Sequence, residues 1–170
     1  MLDIVNNILD ISKIETGKQT LIEKEYKTVD LLTDVVNITK SKIGSKPVKL
    51  MINVDQNISS TLNGDYSKLY QVLINILANS AKYTDVGRIT FTLSSTKDND
   101  IENLLFKITD TGTGIKEEDQ IKLFEKGTRL NNATDSEIEG SGYGLAITKQ
   151  YVETLGGKIN DLVDVNWKVL

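Results

Sequence analysis

The sequence predicts an α+β protein in which a few long helices cover one face of a mixed β-sheet. Two observations support this prediction. Apolar residues recur every three or four positions along a few long segments, as they do in amphipathic helices. Between these segments, shorter stretches alternate apolar and polar residues, as half-buried strands do, and polar turns join them. Long helices beside clustered strands are typical of a two-layer α/β sandwich.

The predicted elements have recognisable boundary signals. Asp65 is the predicted N-cap of the longest helix, and Gly156-Gly157 ends the last one. The predicted helices cover residues 1–16, 29–44, 66–83, 117–124 and 143–155. The predicted strands cover residues 48–54, 60–62, 89–93, 104–110 and 163–169. In the second helix, the residues predicted to face the core are Leu31, Leu32, Val35, Val36 and Ile38.

Three parts are predicted along the chain: a helical stub at 1–17, a polar connector at 18–27 and one globular domain at 28–170. The stub begins at Met1 in the middle of a helical pattern, which favours a piece of a longer protein. Its two apolar stripes suit a helix bundle. Residues 125–141 are polar and lack any apolar period, so they predict a loop within the domain.

The composition excludes several kinds of site. The chain has 170 residues, a net charge of −4, and neither cysteine nor histidine. Disulfides, thiolate metal sites, imidazole ligands and histidine bases are therefore excluded, and any metal must bind to oxygen, which favours Mg²⁺ or Ca²⁺. The acidic balance argues against nucleic-acid binding. No apolar run approaches the ~20 residues of a membrane span, so no membrane contact is predicted for this segment.

Polar residues repeat along one face of the helix predicted at 66–83. Asn75, Asn79 and Lys82 are spaced four and three residues apart, away from the apolar face. An amide oxygen is a neutral ligand suited to Mg²⁺, and a lysine one turn further on can meet a phosphate. A solvated helix face explains the same spacing, so this helix does not decide the function by itself.

Two glycine-rich segments add further polar chemistry. Asp110 ends a strand and is followed by Gly112 and Gly114, so a carboxylate can accept from an amine such as that of adenine while the backbone approaches a flat ligand. The segment 140–144 opens the last helix, where backbone N–H groups attract anions. Taken singly, the first segment is better explained as a glycine-rich turn, and a flexible hinge before a helix is the alternative for the second.

In this order and spacing, the motifs resemble those of the ATP-binding catalytic domain of sensor histidine kinases. The first two correspondences are Asn75-x-x-x-Asn79-x-x-Lys82-Tyr83-Thr84 with the N box and Asp110-x-Gly112-x-Gly114 with the first glycine box. The next two are Leu123-Phe124 with the F box and Gly140-x-Gly142-x-Gly144-Leu145 with the second glycine box. The segment 8–17 looks like the end of the second dimerisation helix. The resemblance therefore covers about residues 1–157.

The resemblance implies a gyrase-like two-layer fold that binds ATP and Mg²⁺ between the helices, under a mobile lid at about 125–141. It implies that Asn79 binds Mg²⁺, that Lys82 meets phosphate, and that Asp110 binds the adenine amine. Asn75 and Lys82 are the implied catalytic residues. The residues implied to line the nucleotide are Asn75, Asn79, Lys82, Tyr83, Asp110, Gly112, Gly114, Ile115, Lys126, Arg129, Gly140, Gly142, Gly144 and Leu145.

The resemblance also implies an enzyme whose phosphoacceptor lies elsewhere. The family phosphorylates a histidine on the first dimerisation helix, and this chain contains no histidine. The expectation is the catalytic domain of a protein-histidine kinase that cannot phosphorylate itself on histidine. The implied partners are a histidine-bearing dimerisation domain and the receiver domain of a response regulator. The implied setting is a homodimeric cytoplasmic protein, or the cytoplasmic portion of a membrane-bound sensor.

Other interpretations stay open. A nucleotide-binding regulatory module without transfer activity would keep the same ATP site. An anti-sigma-type serine kinase shares the fold, although the helix tail at 8–17 argues against it. The missing histidine is explained either by a fragment or by a chain that acts on another protein. The segment 158–170 departs from the usual end of the family, either through a tight Asn160-Asp161 turn or through an altered terminus.

Slow hydrolysis of ATP is the first expected outcome. Hydrolysing relatives of the gyrase type carry a glutamate where this sequence has Asn75, and an amide has no basicity with which to activate water. Phosphate release by the purified chain in Mg²⁺-ATP should therefore stay close to that of a protein-free control. Robust phosphate release would contradict this prediction.

Overall fold

The computed structural model of this chain describes residues 20–98, 101–125, 127–128, 142–159 and 164–169. Its strands are β1 (Lys24–Lys27), β2 (Val48–Val54), β3 (Thr61–Gly64), β4 (Gly87–Asp98), β5 (Ile101–Asp110), β6 (Lys158–Ile159) and β7 (Asp164–Val169). Its helices are α1 (Thr28–Ile43), α2 (Tyr66–Tyr83), α3 (Glu117–Gln120) and α4 (Gly144–Thr154). Across these described ranges, every helix is too short or too polar to span a membrane.

Five strands of the described residues form a mixed sheet in the order β2-β4-β5-β7-β6. β2 and β4 are parallel, with Val48 opposite Gly87, whereas the other neighbouring strands are antiparallel. Parallel neighbours need a crossover connection, and α2 belongs to the connection between β2 and β4. The predicted mixed sheet with helices packed on it is confirmed, and β6 pairs with β7 as a hairpin requires. The predicted turn at Asn160-Asp161 lies outside the described residues.

The core lies between the sheet and the helices. Buried residues alternate with more exposed ones along β5, so one face of this strand is turned inward. Phe91 of β4 and Phe106 of β5 stack there, with their ring centroids 6.1 Å apart. The face of α2 that the apolar period predicts is buried against this sheet. Its buried apolar residues include Leu69, Val72, Leu73, Ile76 and Leu77.

Not all of the α1 residues that were predicted to face the core are buried. Leu31 and Val35 are fully buried, as predicted, but Ile38 is 37% exposed, so the prediction for Ile38 is wrong. From Leu31 onward, the buried residues of α1 are spaced four apart, which places Thr39 on the core face instead of Ile38. The Thr39 hydroxyl donates to the Val35 carbonyl at 2.7 Å, which satisfies its polar group inside the core.

The sequence does not predict β1, and it predicts a longer α3. β1 occupies part of the segment interpreted as a polar connector, and it pairs antiparallel with β3, where Tyr26 lies opposite Leu62. The other residues of β1 are charged and exposed, so they carry no alternating apolar signal. α3 ends at Gln120, and residues 121–124 form turns where helix was predicted. The helix predicted at 1–16 lies outside the described residues.

The N-terminus of α2 is bonded both to its own cap and to the segment that precedes β1. Asp65 is the N-cap, as predicted, and its Oδ1 accepts from the Lys68 backbone at 3.1 Å. Its Oδ2 accepts from the Ile22 backbone at 3.0 Å and from the Lys68 ammonium at 2.7 Å. Burial alone would raise the pKa of Asp65, but these hydrogen bonds outweigh it and hold the pKa below its ordinary value.

Asp65→Asn should therefore lower the free energy of unfolding at neutral pH by about 1.5–3 kcal/mol, the range for hydrogen bonds to a charged group. Asparagine keeps a capping oxygen but loses the charge that attracts Lys68. Because folding lowers this pKa, the stabilisation is present above the unfolded pKa of about 3.9 and is lost as the pH falls through the lower folded value.

Urea unfolding at several pH values measures this difference, with Glu25→Gln, an exposed carboxylate on β1, as the control. The advantage of the parent chain over Asp65→Asn should shrink as the solution becomes acidic, and Glu25→Gln should show no such trend. An advantage that grows with acidity would contradict the assignment.

Candidate functional site

The predicted polar stripe lies on a face of α2 separate from the buried one. Asn75, Asn79 and Lys82 are each partly buried, whereas Ile76 and Leu77 beside them are in the core. Within the described residues, the Asn79 side chain has no hydrogen-bond partner. Its amide oxygen therefore remains available to a ligand in a partly desolvated position.

The C-terminal end of α2 is joined to the loop that follows β5. The Thr113 N–H donates to the Tyr83 carbonyl at 3.2 Å. Gly112 packs against the same peptide so closely that an added Cβ would collide with the Tyr83 carbonyl oxygen. Only glycine allows this approach. The N-box helix and the first glycine box, far apart in sequence, are therefore held together by their backbones.

This loop fixes the direction of the Asp110 carboxylate. Asp110 ends β5 and is exposed, and its Oδ1 accepts from the Gly112 N–H at 2.9 Å. Its Oδ2 has no partner among the described residues, so it can accept from a ligand donor. Thr111 anchors the loop to β4, because its N–H donates to the Arg88 carbonyl at 3.1 Å and its hydroxyl accepts from the Arg88 N–H at 3.0 Å.

Partly exposed apolar side chains flank the same junction. Tyr83 is 38% exposed and Ile115 is 44% exposed, which leaves apolar surface open to a flat ligand. The Lys82 ammonium lies over the Tyr83 ring, 5.0 Å from its centroid. Gly114 has a φ of +69°, and no atom lies within 4 Å of where a Cβ would be. Glycine is therefore favoured there by the left-handed backbone and not by steric contact.

A second junction joins α2 to the start of α4. The Asn75 amide donates to the Gly144 carbonyl at 3.4 Å and to the Thr148 hydroxyl at 3.3 Å. Its oxygen accepts from the Gln71 amide at 3.2 Å. Thr148 is fully buried, and its hydroxyl donates to the Gly144 carbonyl at 2.9 Å. Asn75 therefore joins α2 to α4 through the N–H groups of its amide, while its oxygen is held within α2 by Gln71.

The N-terminus of α4 is an uncapped helix end beside this junction. Its first intrahelical bond runs from the Ile147 N–H to the Tyr143 carbonyl, at 3.0 Å, and no side chain of the described residues caps it. The N–H groups of Gly144, Leu145 and Ala146 precede that bond and point out of the helix. Together with the helix dipole they form a region of positive potential that suits an anion.

The segments on either side of residues 129–141 lie against each other. An added Cβ on Gly142 would lie 3.0 Å from the Gly127 carbonyl carbon and 3.1 Å from the Thr128 oxygen, so the two backbones are in close contact. Phe124 of the F box lies near α4, because the ammonium of Lys149 on that helix is 5.9 Å from its ring centroid. The described residues thus place the F box and the second glycine box together.

The structure brings the sequence-predicted residues together at the two junctions of α2. One joins Tyr83, Gly112 and Asp110, and the other joins Asn75 and Gly144. Lys126, Arg129 and Gly140, which are predicted site residues, lie outside the described residues, as does most of the predicted lid. Gln71 and Thr148 also belong to the second junction and were not predicted from the sequence. Their spacing of four from Asn75 and Gly144 was a signal of shared helix faces, but it did not reveal the contact between the helices.

Comparisons with known proteins show which sequences and which fold this chain resembles. Residues 64–161 match the family described as histidine kinase-, DNA gyrase B- and HSP90-like ATPase. The hybrid signal transduction histidine kinase B of Dictyostelium discoideum is 33% identical over 160 residues, which are 94% of this chain and 8% of that protein. The circadian input-output histidine kinase CikA of Synechococcus elongatus is 35% identical over 160 residues, which are 94% of this chain and 21% of that protein.

A solved structure shares the fold. Full-length ShkA in complex with AMPPNP is similar with a TM-score of 0.77 and 23% identity, over 99% of this chain and 35% of that chain. In each of these comparisons, this chain spans only a minor part of the length of the protein that it matches.

Gly112→Ala should separate the first junction and lower the free energy of unfolding by about 1–3 kcal/mol, the usual cost of forcing a methyl group into a packed site. Gly64→Ala is the matched control, because a Cβ there would make only ordinary contacts with Tyr26, at 3.8 Å and beyond. We expect that control to be neutral or slightly stabilising. Urea unfolding of both variants measures the difference, and equal stabilities would show that the Gly112 contact is not tight.

Proposed function

Because this chain belongs to the histidine kinase-, DNA gyrase B- and HSP90-like ATPase family, we propose that it binds ATP with Mg²⁺ and presents the γ-phosphoryl group to a histidine outside the chain. The observation that supports this most is the pair of junctions on α2. Tyr83 anchors the Asp110 loop, and Asn75 anchors the start of α4. Eight residues separate these anchors, which is about 12 Å of helix. One end offers an acceptor for a base, and the other offers donors for phosphates.

At the Tyr83 end, the chemistry favours adenine. The free Oδ2 of Asp110 accepts a hydrogen bond from an amine, and it would repel the carbonyl oxygen that guanine carries at the same position. The Gly112 N–H holds the carboxylate in place, so little ordering is needed on binding. The partly exposed Tyr83 and Ile115 supply apolar surface for the ring. We assign base recognition to Asp110 and shaping of the pocket to Gly112 and Gly114.

At the Asn75 end, the residues fit a hydrated magnesium ion held mostly by phosphate. Within the described ranges, no three carboxylates come together to hold a metal. Mg²⁺ in nucleotide sites commonly takes one or two protein oxygens, with phosphate oxygens and water completing its octahedron. The Asn79 amide oxygen is assigned as that protein ligand. The N–H groups that open α4, at this end, and Lys82, which lies beside Tyr83 at the other end, are assigned to the negative charge of the phosphates.

The chemistry of transfer needs little more than this from the chain. Phosphoryl transfer is promoted mainly by positioning and by neutralising charge, which amides, a lysine and backbone N–H groups can do. Asn75 acts by positioning, because its amide is engaged by Gln71, Gly144 and Thr148. No histidine occurs in the sequence, so the acceptor imidazole comes from a dimerisation domain in the same larger protein or in another one.

Calorimetric titration with a non-hydrolysable ATP analogue tests the binding site. We expect Asp110→Ala to weaken binding about ten-fold or more, the loss of at least one charge-assisted hydrogen bond, and to remove the preference for the ATP analogue over the GTP analogue. Asn79→Ala should weaken binding only when Mg²⁺ is present, because that residue acts through the metal. Asn37→Ala and Asp30→Ala change exposed residues of α1 and serve as controls.

Binding by the folded parent that is insensitive to Asp110→Ala and Asn79→Ala would contradict these residue roles, and absence of binding would contradict the ATP site itself. The transfer part of the proposal is tested separately, by adding labelled ATP and a histidine-bearing dimerisation domain. Acid-labile label on that domain, lost in the Asn79→Ala variant, supports a kinase. Binding without transfer to any matched dimerisation domain would favour a regulatory module, and acid-stable label on serine would favour a serine kinase.

A further inference from the structure

The ammonium group of Lys46 lies at the C-terminal end of α2. It donates to the carbonyl oxygens of Ala81 at 2.9 Å, Lys82 at 3.1 Å and Thr84 at 3.3 Å. Lys46 belongs to the loop between α1 and β2, more than thirty residues earlier in the sequence. A cation at this end of a helix also interacts favourably with the helix dipole.

The last carbonyls of α2 are shared between Lys46 and the glycine loop after β5. The last carbonyls of a helix have no partner within it and must find one elsewhere. Here the Ser80 carbonyl accepts from the Thr84 N–H, and Lys46 takes those of Ala81 and Lys82. The Tyr83 carbonyl accepts from the Thr113 N–H of the glycine loop. Lys46 therefore occupies the two carbonyls that precede that of Tyr83, and the Tyr83 carbonyl is bonded to the loop.

The backbone of Lys46 is held as firmly as its side chain. The Val48 N–H donates to the Lys46 carbonyl at 2.7 Å, and the Gly87 N–H donates to the Pro47 carbonyl at 3.1 Å. The loop is thus attached to the start of β4, next to the Arg88 peptide that anchors Thr111. The loop that carries Lys46 is therefore bonded to α2 and to β4. The Asp110 loop is bonded to the same two elements.

The ion pair of Lys46 does not explain this arrangement. Its ammonium lies 3.1 Å from an Asp85 carboxylate oxygen, but the Asp85 side chain is 82% exposed, and such pairs contribute little. The Lys46 side chain is only 34% exposed. Its charge is therefore directed mainly at the helix carbonyls.

We propose that Lys46 is a positioning residue for the base-recognising end of the site. By holding the carbonyls on both sides of Tyr83, it fixes the Tyr83 carbonyl as the acceptor for Thr113, and through that loop it fixes the Asp110 carboxylate. It touches no nucleotide itself. This inference rests on the proposed function, because its consequence is a precise fit to adenine.

The test compares Lys46→Met with Lys49→Met, which removes an exposed lysine from β2. In titrations with non-hydrolysable ATP and GTP analogues and Mg²⁺, Lys46→Met should weaken ATP binding about ten-fold and GTP binding much less, so that the preference for adenine falls. Hydrogen exchange of the Thr113 amide should accelerate in the same variant. Lys46→Arg should recover most of the preference, since guanidinium also donates to several carbonyls. Lys49→Met should behave as the parent chain.

A Lys46→Met chain that is less stable but binds both analogues as the parent does would overturn the inference and leave a purely structural lysine. Equal loss for both analogues would also overturn it, since that result means general loosening. If Lys46→Met does not fold, Lys46→Gln, which removes the charge and keeps an amide donor, is judged by the same criteria. A parent chain that binds no ATP refutes the proposed function and this inference together, whereas binding that is indifferent to Lys46 refutes this inference alone.

Discussion

The rotation of α2 about its own axis is the constraint on which the rest of the structure depends. Its buried apolar face includes Leu73 and Leu77, and burying one such side chain contributes about 1.5–3 kcal/mol. Turning the helix by one residue, about 100°, would bring these leucines out and carry polar residues such as Asn75 or Asn79 into the core. Unpaired amides there would cost further free energy. The burial that stabilises the packing of the helices on the sheet thus also keeps the polar stripe of α2 outside the core.

Elements with a strong local signal were predictable from the sequence. The apolar period and the Asp65 cap gave α2 the bounds that it has, and the alternation of Ile89, Phe91 and Leu93 located β4. β1 was not predictable, because its stability comes from pairing with β3 and from packing of Tyr26, not from its own charged residues. Ile38 was wrongly predicted to face the core because it is apolar and adjacent to Thr39, which is the residue that is buried there.

Part of the candidate site was likewise predictable from the sequence, and part was not. Side chains with distinctive chemistry, such as Asp110 and Asn79, could be named from motifs and their order. The contacts that position them could not, because they are made by the backbone or between distant segments. The Tyr83 carbonyl is invisible in a sequence, and the pairing of Asn75 with Thr148 joins residues 73 positions apart. Long-range contacts of this kind follow from the packed fold and not from local periodicity.

The parallel pairing of β2 with β4 has a consequence for the order in which the chain acquires its parts. The ladder from Val48 and Gly87 encloses α2 in a long crossover, and non-local pairings of this kind form slowly because loop closure must precede them. The two anchors of α2 are completed by residues that come later still, Thr113 and Gly144. During synthesis, α2 would therefore emerge well before the segments that complete the proposed nucleotide site. Nucleotide binding at this site would therefore have to wait until synthesis had passed Gly144.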